Sequence, residues 1–336
     1  MVKKMNNKPL KIGVIGATGL VGREVLKILE EYRINIDKLK LCASEKSKDQ
    51  KILFNQKEYT VDVLNAESFD DLDYVIFCTP SEISLKYAPI AKEKGAIVID
   101  NSAAFRMNKN VSLVVPEINI QDVNLNQNKI ISNPNCSTIQ SVLPLYIINK
   151  ISKIKKIVYS TYQSVSGFGA KGLYDLEMTR QGYTPEFFHD NISLNCIPEI
   201  GNYTESGFTS EEMKMINETK KILHLSNTEI SATCVRVPIE NCHAVSIYVE
   251  TENECDIDII SKALSKQQGI NYIKYDDNHH YPLQSKANNQ DNVLVGRLRY
   301  GPTKRSLLLY CVADNLRKGA ASNAVQIMMS INNHGF

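Results

Sequence analysis

The sequence predicts an α/β protein. An N-terminal doubly wound domain with a parallel sheet should be followed by an α+β domain with a mostly antiparallel sheet. Three observations predict this. A short apolar run at 11–15 leads through Gly16, Gly19 and Gly22 into a helical pattern that lasts to Glu31. Strand-like runs at 38–42, 74–78, 96–99 and 113–115 then recur with helical stretches such as 84–94 between them. Beyond Cys136 the strand patterns lengthen and alternate, at 156–162, 231–237, 243–250, 294–298 and 307–312.

Alternation of strands and helices favours a parallel sheet covered on both faces, and right-handed crossovers make it doubly wound. Alternating apolar and polar residues over longer runs favour antiparallel pairing with one open face. The segment 314–330 reads as an amphipathic helix with Asp314 as a possible N-cap, and the polar stretch 275–291, with His279 and His280, reads as a loop.

The glycines define the first site. Gly16-Ala17-Thr18-Gly19-Leu20-Val21-Gly22 follows a strand and opens a helix, where bare backbone approaches a pyrophosphate and the helix N-terminus faces its charge. This context makes the first domain Rossmann-type and dinucleotide-binding, although the spacing is G-x-x-G-x-x-G rather than the commoner G-x-G-x-x-G. After the second strand come Ser44, Glu45, Lys46 and Ser47. Glu45 suits the ribose hydroxyls of NAD, whereas Ser44, Lys46 and Ser47 suit a 2′-phosphate; the balance favours NADP.

The second site is a thiol. In Ser132-Asn133-Pro134-Asn135-Cys136-Ser137-Thr138 a cysteine follows an Asn-Pro turn and precedes an apolar helical run. A thiol in the first turn of a helix meets unpaired N–H groups and the positive end of the dipole, which favour the nucleophilic thiolate.

Composition narrows the alternatives. With 43% hydrophobic and 23% charged residues the chain is of ordinary globular type, and 336 residues suit two domains. A formal charge of +2 offers no general attraction to nucleic acid or membranes, and the start, residues 1–5, is only a mild basic tip. The apolar run after it is short and glycine-broken, unlike a secretory signal, and no run is long enough to span a bilayer. Eight dispersed cysteines without a C-x-x-C pair suit reduced thiols in the cytoplasm, and Cys234, Cys242 and His243 match no zinc spacing, so no metal is expected.

The motifs GATGLVG, SNPNCSTIQ, STYQSVSGFG, EEMKMINETKKI, SATCVRVP followed by His243, VGRLR and DNLRKGAASNAVQI, in this order, resemble the bacterial-type aspartate-β-semialdehyde dehydrogenases over nearly the whole chain. The resemblance implies reduction of β-aspartyl phosphate by NADPH to aspartate semialdehyde and phosphate, a step towards lysine, threonine, methionine and isoleucine. It implies that Cys136 forms the thioacyl intermediate, that His243 is the acid/base, and that Gln163 orients the bound intermediate. Asn135 would serve the phosphate or oxyanion site, Arg106 the phosphate, and Arg236 the α-carboxylate, for which its planar fork is suited.

Glu211 and Lys214 lie three apart on a helix that Thr209 and Glu212 cap, which sets them on one face for the α-ammonium and the phosphate, with Met213, Ile216 and Leu223 on the opposite face. Ser166, Gly167 and Asn315 correspond to the family's cofactor contacts, beside Gly16, Thr18, Gly19, Leu20 and Val21. The resemblance further implies an NADP-binding domain over 8–134 completed by a returning helix at 314–332. It also implies a catalytic and dimerisation domain over 135–313, a cleft between the two, and a homodimer.

Three alternatives stand beside this reading. N-acetyl-γ-glutamyl-phosphate reductase shares the logic but usually sets its nucleophile in Gly-Cys-Tyr-Pro. A malonyl-CoA-type reductase would not need a partner such as Glu211 for an ammonium group. A non-catalytic dinucleotide-binding homologue would not need Cys136, Gln163, Arg236 and His243 together.

Overall fold

The computed structural model describes residues 9–275 and 280–334. The basic tip at 1–5 and His279 lie outside the described residues. The chain divides into two compact units: the residues up to Pro134 together with those from Ala320, and Asn135–Gly319.

In the first unit, β1 (Leu10–Ile15), α1 (Leu20–Glu31) and β2 (Ile36–Ala43) form the opening βαβ unit. A small hairpin follows, β3 (Lys51–Phe54) and β4 (Lys57–Thr60), which the sequence patterns did not announce, and then β5 (Asp62–Val63), β6 (Tyr74–Phe77), α2 (Ser81–Glu93), β7 (Ile97–Asp100), β8 (Ser112–Leu113), α3 (Pro116–Asn119) and β9 (Ile130–Ser132). The main sheet has the order β5-β2-β1-β6-β7-β9-β8, and all its pairings are parallel. Strand order reverses at β1, the kind of switch point at which open α/β sheets bind ligands. Two apolar clusters build its core, one around Val14, Ile28 and Ile76 and the other around Ile15, Phe77 and Val98.

The second unit contains α4 (Cys136–Ile151), β10 (Ile154–Gln163), α5 (Ala170–Arg180), α6 (Ser210–Ile222), β11 (Glu229–Arg236), β12 (His243–Thr251), α7 (Ile257–Lys266), β13 (Ile270–Ile273), α8 (Gln284–Ala287), β14 (Val293–Tyr300) and β15 (Ser306–Ala313). Its sheet order is β11-β10-β12-β15-β14-β13. The sheet is mixed: β10–β12, β12–β15 and β14–β15 are antiparallel, whereas β10–β11 and β13–β14 are parallel. Helix α4 packs on β10, β12 and β15 and α6 packs on β11. Residues that alternate with the buried ones, such as Ser160, Tyr162, Thr233 and Tyr310, retain exposure, and the Tyr162 and Tyr310 rings lie 6.3 Å apart. Helix α8 interrupts the stretch expected as loop.

The last helix, α9 (Ser322–His334), begins later than its pattern suggested. Asp314 Oδ1 does accept the N–H groups of Leu316 and Arg317. The residues Arg317–Ala321 then form a wide π-type turn before regular α-helix begins. Ala324, Val325, Ile327 and Met328 are fully buried in the first unit's core, so this is an interior helix rather than an amphipathic surface one.

Candidate active site

The glycine loop closes tightly. Gly16 has φ +81°, and a Cβ there would lie 2.4 Å from the Cys78 carbonyl oxygen; a Cβ on Gly22 would lie 2.2 Å from the Gly16 carbonyl oxygen. Only glycine permits this approach of α1 to the loop. Gly19, at the N-cap of α1, has no side-chain cap, so the helix presents its first N–H groups to an incoming anion. Thr18 Oγ1 lies 3.1 Å from Ser47 Oγ, tying this loop to the segment after β2. Ser44, Glu45 and Lys46 are exposed there, and Glu45 pairs with Lys48 at 3.6 Å. Leu20 and Val21 open α1. These features suit the pyrophosphate and ribose end of a nicotinamide dinucleotide.

Arg106 belongs to the same unit and is buried. Its Nε donates to the Asn133 carbonyl (2.9 Å) and its Nη2 to the Asn101 carbonyl (2.7 Å). The guanidinium is therefore oriented by main chain.

In the second unit, Cys136 is the first residue of α4, and Asn135 is its N-cap. Asn135 Oδ1 accepts from the N–H groups of Ser137 (3.0 Å) and Thr138 (3.2 Å), which satisfies two of the helix's unpaired donors. Asn135 Nδ2 donates to Glu211 Oε1 at 2.8 Å, and the Asn135 N–H donates to Glu218 Oε2 at 2.7 Å. Two carboxylates of α6 thus hold the residue before the half-buried Cys136. Opposite the thiol the chain runs close: a Cβ on Gly319 would lie 2.7 Å from Cys136 Cβ.

Helix α6 starts with the expected capping box, Thr209 Oγ1 accepting from Glu212 N and Glu212 Oε2 from Thr209 N. The expected separation of faces does not hold. Glu211, Glu212 and Glu218 lie on the buried side with Met215 and Ile216, whereas Met213 is half-exposed. Hydrogen bonds make the burial of these carboxylates tolerable. Glu211 Oε1 also accepts from Gln163 Nε2 (3.3 Å), and its Oε2 pairs with Lys214 Nζ (3.1 Å). Burial alone would raise the Glu211 pKa, but Lys214, Asn135 and Arg236 outweigh it and hold the carboxyl below its usual range.

Gln163 ends β10 and pairs in register with Arg236 at the end of β11. Arg236 is buried, and its Nη1 donates to the Ser164 carbonyl at 2.7 Å. Burial lowers its pKa, offset in part by the charges of Glu211 and Cys136. His243 opens β12 and is fully buried. Its Nδ1 lies 3.0 Å from both Ser164 N and Ser164 Oγ, while its Nε2 has no partner among the described residues. Burial first, and then Arg236, drops its pKa to about 3. The ring is therefore neutral near pH 7, a hydrogen-bonding group rather than a standing cation.

Ser166 and Asn315 lie behind this histidine in one hydrogen-bonded web with Ser164. Gly167 packs closely against both residues, Arg236 and His243, since a Cβ there would lie 2.9 Å from Arg236 Nη1 and 3.1 Å from His243 Nε2. Sequence reasoning missed Ser164, Glu218 and Gly319; the first two act through main-chain groups or burial, which no motif displays. Burial raises the pKa of Cys42, Cys78, Cys234 and Cys242, and pushes Cys311 up to about 12.

A dinucleotide-type glycine loop, a thiol at a helix N-terminus near a buried arginine, and a buried histidine and glutamine in the same unit as that thiol define a nicotinamide-linked oxidoreductase that acts on acyl groups or aldehydes. Comparison with known proteins agrees. The family model for the semialdehyde dehydrogenase NAD binding domain matches residues 11–126, and that for the semialdehyde dehydrogenase dimerisation domain matches 144–318. The aspartate-semialdehyde dehydrogenase of Aquifex aeolicus is 43% identical, covering 94% of this chain and 96% of its own. That of Bacillus subtilis is 40% identical, covering 96% and 97%. Aspartate semialdehyde dehydrogenase II of Vibrio cholerae, solved in complex with ASA, superposes with a TM-score of 0.93 at 37% identity, covering 98% of this chain and 100% of its own. The chain belongs to the aspartate-semialdehyde dehydrogenase family.

Proposed function

We propose that this protein reduces L-4-aspartyl phosphate to L-aspartate 4-semialdehyde and phosphate, with NADPH as reductant, and that it works as a cytoplasmic homodimer. The observation that carries the reading is the hydrogen-bonded group Asn135, Glu211, Gln163 and Lys214 around the first residue of α4. A nucleophile, an ammonium partner and a phosphate partner stand in one connected set. Glu211 favours a substrate bearing an ammonium group over a CoA thioester.

Cys136 Sγ attacks the acyl carbonyl carbon; a C–S bond forms, the C–O bond to phosphate breaks, and phosphate leaves with the electron pair. NADPH, when bound, supplies the hydride that reduces the thioester to a thiohemiacetal. The Nε2–H of neutral His243 donates a hydrogen bond to the thiohemiacetal oxyanion that hydride transfer leaves; that oxygen's electron pair then re-forms the C=O as the C–S bond breaks, releasing aldehyde and thiolate. Gln163 orients the acyl group, Arg236 holds the α-carboxylate in a paired contact, Glu211 meets the ammonium, and Lys214, Arg106 and Asn135 receive the phosphate. Thr18, Ser44, Lys46 and Ser47 hold the 2′-phosphate end of the cofactor, with Ser166, Gly167 and Asn315 at its nicotinamide end. The exposed sheet face carrying Tyr162 and Tyr310 is the dimer surface. No described helix is long and apolar enough to cross a membrane.

The test runs the reaction backwards. Aspartate semialdehyde, phosphate and NADP should give nicotinamide reduction. N-acetylglutamate semialdehyde is the parallel substrate; turnover with it alone would overturn the assignment.

A further inference from the structure

Ser164 lies just past the end of β10, and the mechanism above gives it no role. Each of its polar groups is committed. Its N–H donates to His243 Nδ1 at 3.0 Å, its carbonyl accepts from Arg236 Nη1 at 2.7 Å, and its hydroxyl donates to Asn315 Oδ1 at 3.0 Å. Asn315 Oδ1 also accepts the N–H of Cys242 at 2.9 Å. Cys242 immediately precedes His243 and has φ +72°, a left-handed backbone that a non-glycine residue keeps only where its surroundings impose it. Asn315 therefore grips both the segment that carries the histidine and the residue that hydrogen-bonds to its ring.

A main-chain N–H can only donate. The Nδ1 facing it must present a lone pair, so the proton of the neutral ring sits on Nε2. That nitrogen is buried and without a partner among the described residues, and Gly167 approaches it so closely that a Cβ there would lie 3.1 Å away.

We propose that Ser164 is the positioning residue of this site: its N–H fixes His243 as the Nε2–H tautomer, while its carbonyl sets the angle of Arg236. One peptide unit thereby aligns the proton donor and the carboxylate clamp with each other. This rests on the reading that His243 serves the thiohemiacetal oxygen through Nε2. It goes further in assigning the resting proton to one nitrogen and the cause to one residue. The charged groups whose fields reach the ring are Arg236 from β11 and Glu211 from α6. Protonating Nδ1 would set two N–H groups against each other; the one acceptor beside it is Ser164 Oγ, also 3.0 Å away, and Ser164→Ala removes that acceptor while keeping the main-chain N–H.

The backbone of Ser164 supplies its own test. Its φ is −65°, the value proline imposes, and Gln163 before it is in extended strand, as a residue preceding proline prefers. Ser164→Pro removes the N–H and keeps the carbonyl; Ser164→Ala keeps both. Long-range proton–nitrogen correlation spectra of the full chain labelled with 15N-histidine, with His243→Gln to identify the signal, read the tautomer directly. Wild type and Ser164→Ala should show the Nε2–H form near neutral pH. Ser164→Pro should show the Nδ1–H form or an imidazolium, with kcat at least about tenfold below Ser164→Ala, part of the ~10²–10³ that a positioned donor to a developing oxyanion contributes.

An Nδ1–H form or an imidazolium in wild type, or an unchanged tautomer in Ser164→Pro, overturns the proposal. Should the proline variant not fold, the wild-type and alanine spectra still decide the tautomer. The spectra are recorded without substrate, so they stand even if the semialdehyde assay fails, and the two readings can fail separately.

Discussion

Glu218 Oε2 accepts the main-chain N–H of Asn135 at 2.7 Å, in a place where the carboxylate is almost fully buried. The bond fixes the peptide immediately before the nucleophile. Leaving a buried donor unsatisfied costs about 1–3 kcal/mol, so Glu218→Ala should lower unfolding stability by that order. It should also depress kcat more than it raises KM, because the thiol loses its placement. Urea unfolding and steady-state kinetics check both; unchanged kinetics would show that Asn135 is held by its side chain alone.

Cys136→Ala should abolish turnover and leave NADP affinity nearly intact, because the glycine loop belongs to the other unit. Mass spectrometry of wild type incubated with aspartate semialdehyde and NADP should find the acyl adduct on Cys136. Residual activity in the variant would remove the covalent route.

Arg236→Lys keeps the charge and loses the fork, together with the geometry of the contact to the Ser164 carbonyl. A lost charge-assisted hydrogen bond is worth about 1.5–3 kcal/mol, which is roughly 10- to 100-fold in kcat/KM. An unaltered kcat/KM for the semialdehyde would place the carboxylate elsewhere.

His243 ionises near 6.5 when unfolded and only at about 3 when folded. Between those values the unfolded chain binds the extra proton, so stability falls as pH drops through this window and is fully present above it. Wild type should therefore lose stability on acidification from about pH 6.5, on the order of a few kcal/mol at the lower end. His243→Gln should lose less. Denaturant midpoints across the range decide it, and parallel curves for the two proteins would mean that His243 contributes nothing to the acid limb.

Gly22→Ala would place a methyl 2.2 Å from the Gly16 carbonyl oxygen, a rigid main-chain atom. The glycine loop must then open, and NADP affinity measured by calorimetry should fall well over tenfold even if the protein stays folded. Full affinity would show that α1 can shift away from the loop.

Much of this site is legible in the chain, because its signals are local. Asn135 before Cys136 announces a helix start, Thr209 with Glu212 announces another, and three glycines after an apolar run announce a tight βα turn. What stayed hidden depends on contacts far apart in sequence. Nothing around Glu211 and Glu218 says that the charged residues of α6 face inwards; that follows from the donors of Asn135 waiting on another helix. The left-handed Cys242 carries no glycine to mark it, since the N–H bond to Asn315 imposes the conformation. Asn315, expected at the cofactor, has its amide engaged with Ser164, Ser166 and Cys242. Residues 314–330 read as one helix because the π-type turn at Arg317–Ala321 keeps a helical composition while changing pitch.

The uneven treatment of the thiols has a chemical consequence. Cys42, Cys78, Cys234, Cys242 and Cys311 are held protonated by the apolar matter around them, and Cys255 is shut away from solvent. An electrophile or peroxide arriving from solution therefore reaches three sulfurs, the half-buried Cys78 and Cys136 and the exposed Cys196, and of these burial holds the Cys78 thiol protonated. With Cys78 and Cys196 replaced by serine, alkylation stoichiometry would count the active centres whose Cys136 is free.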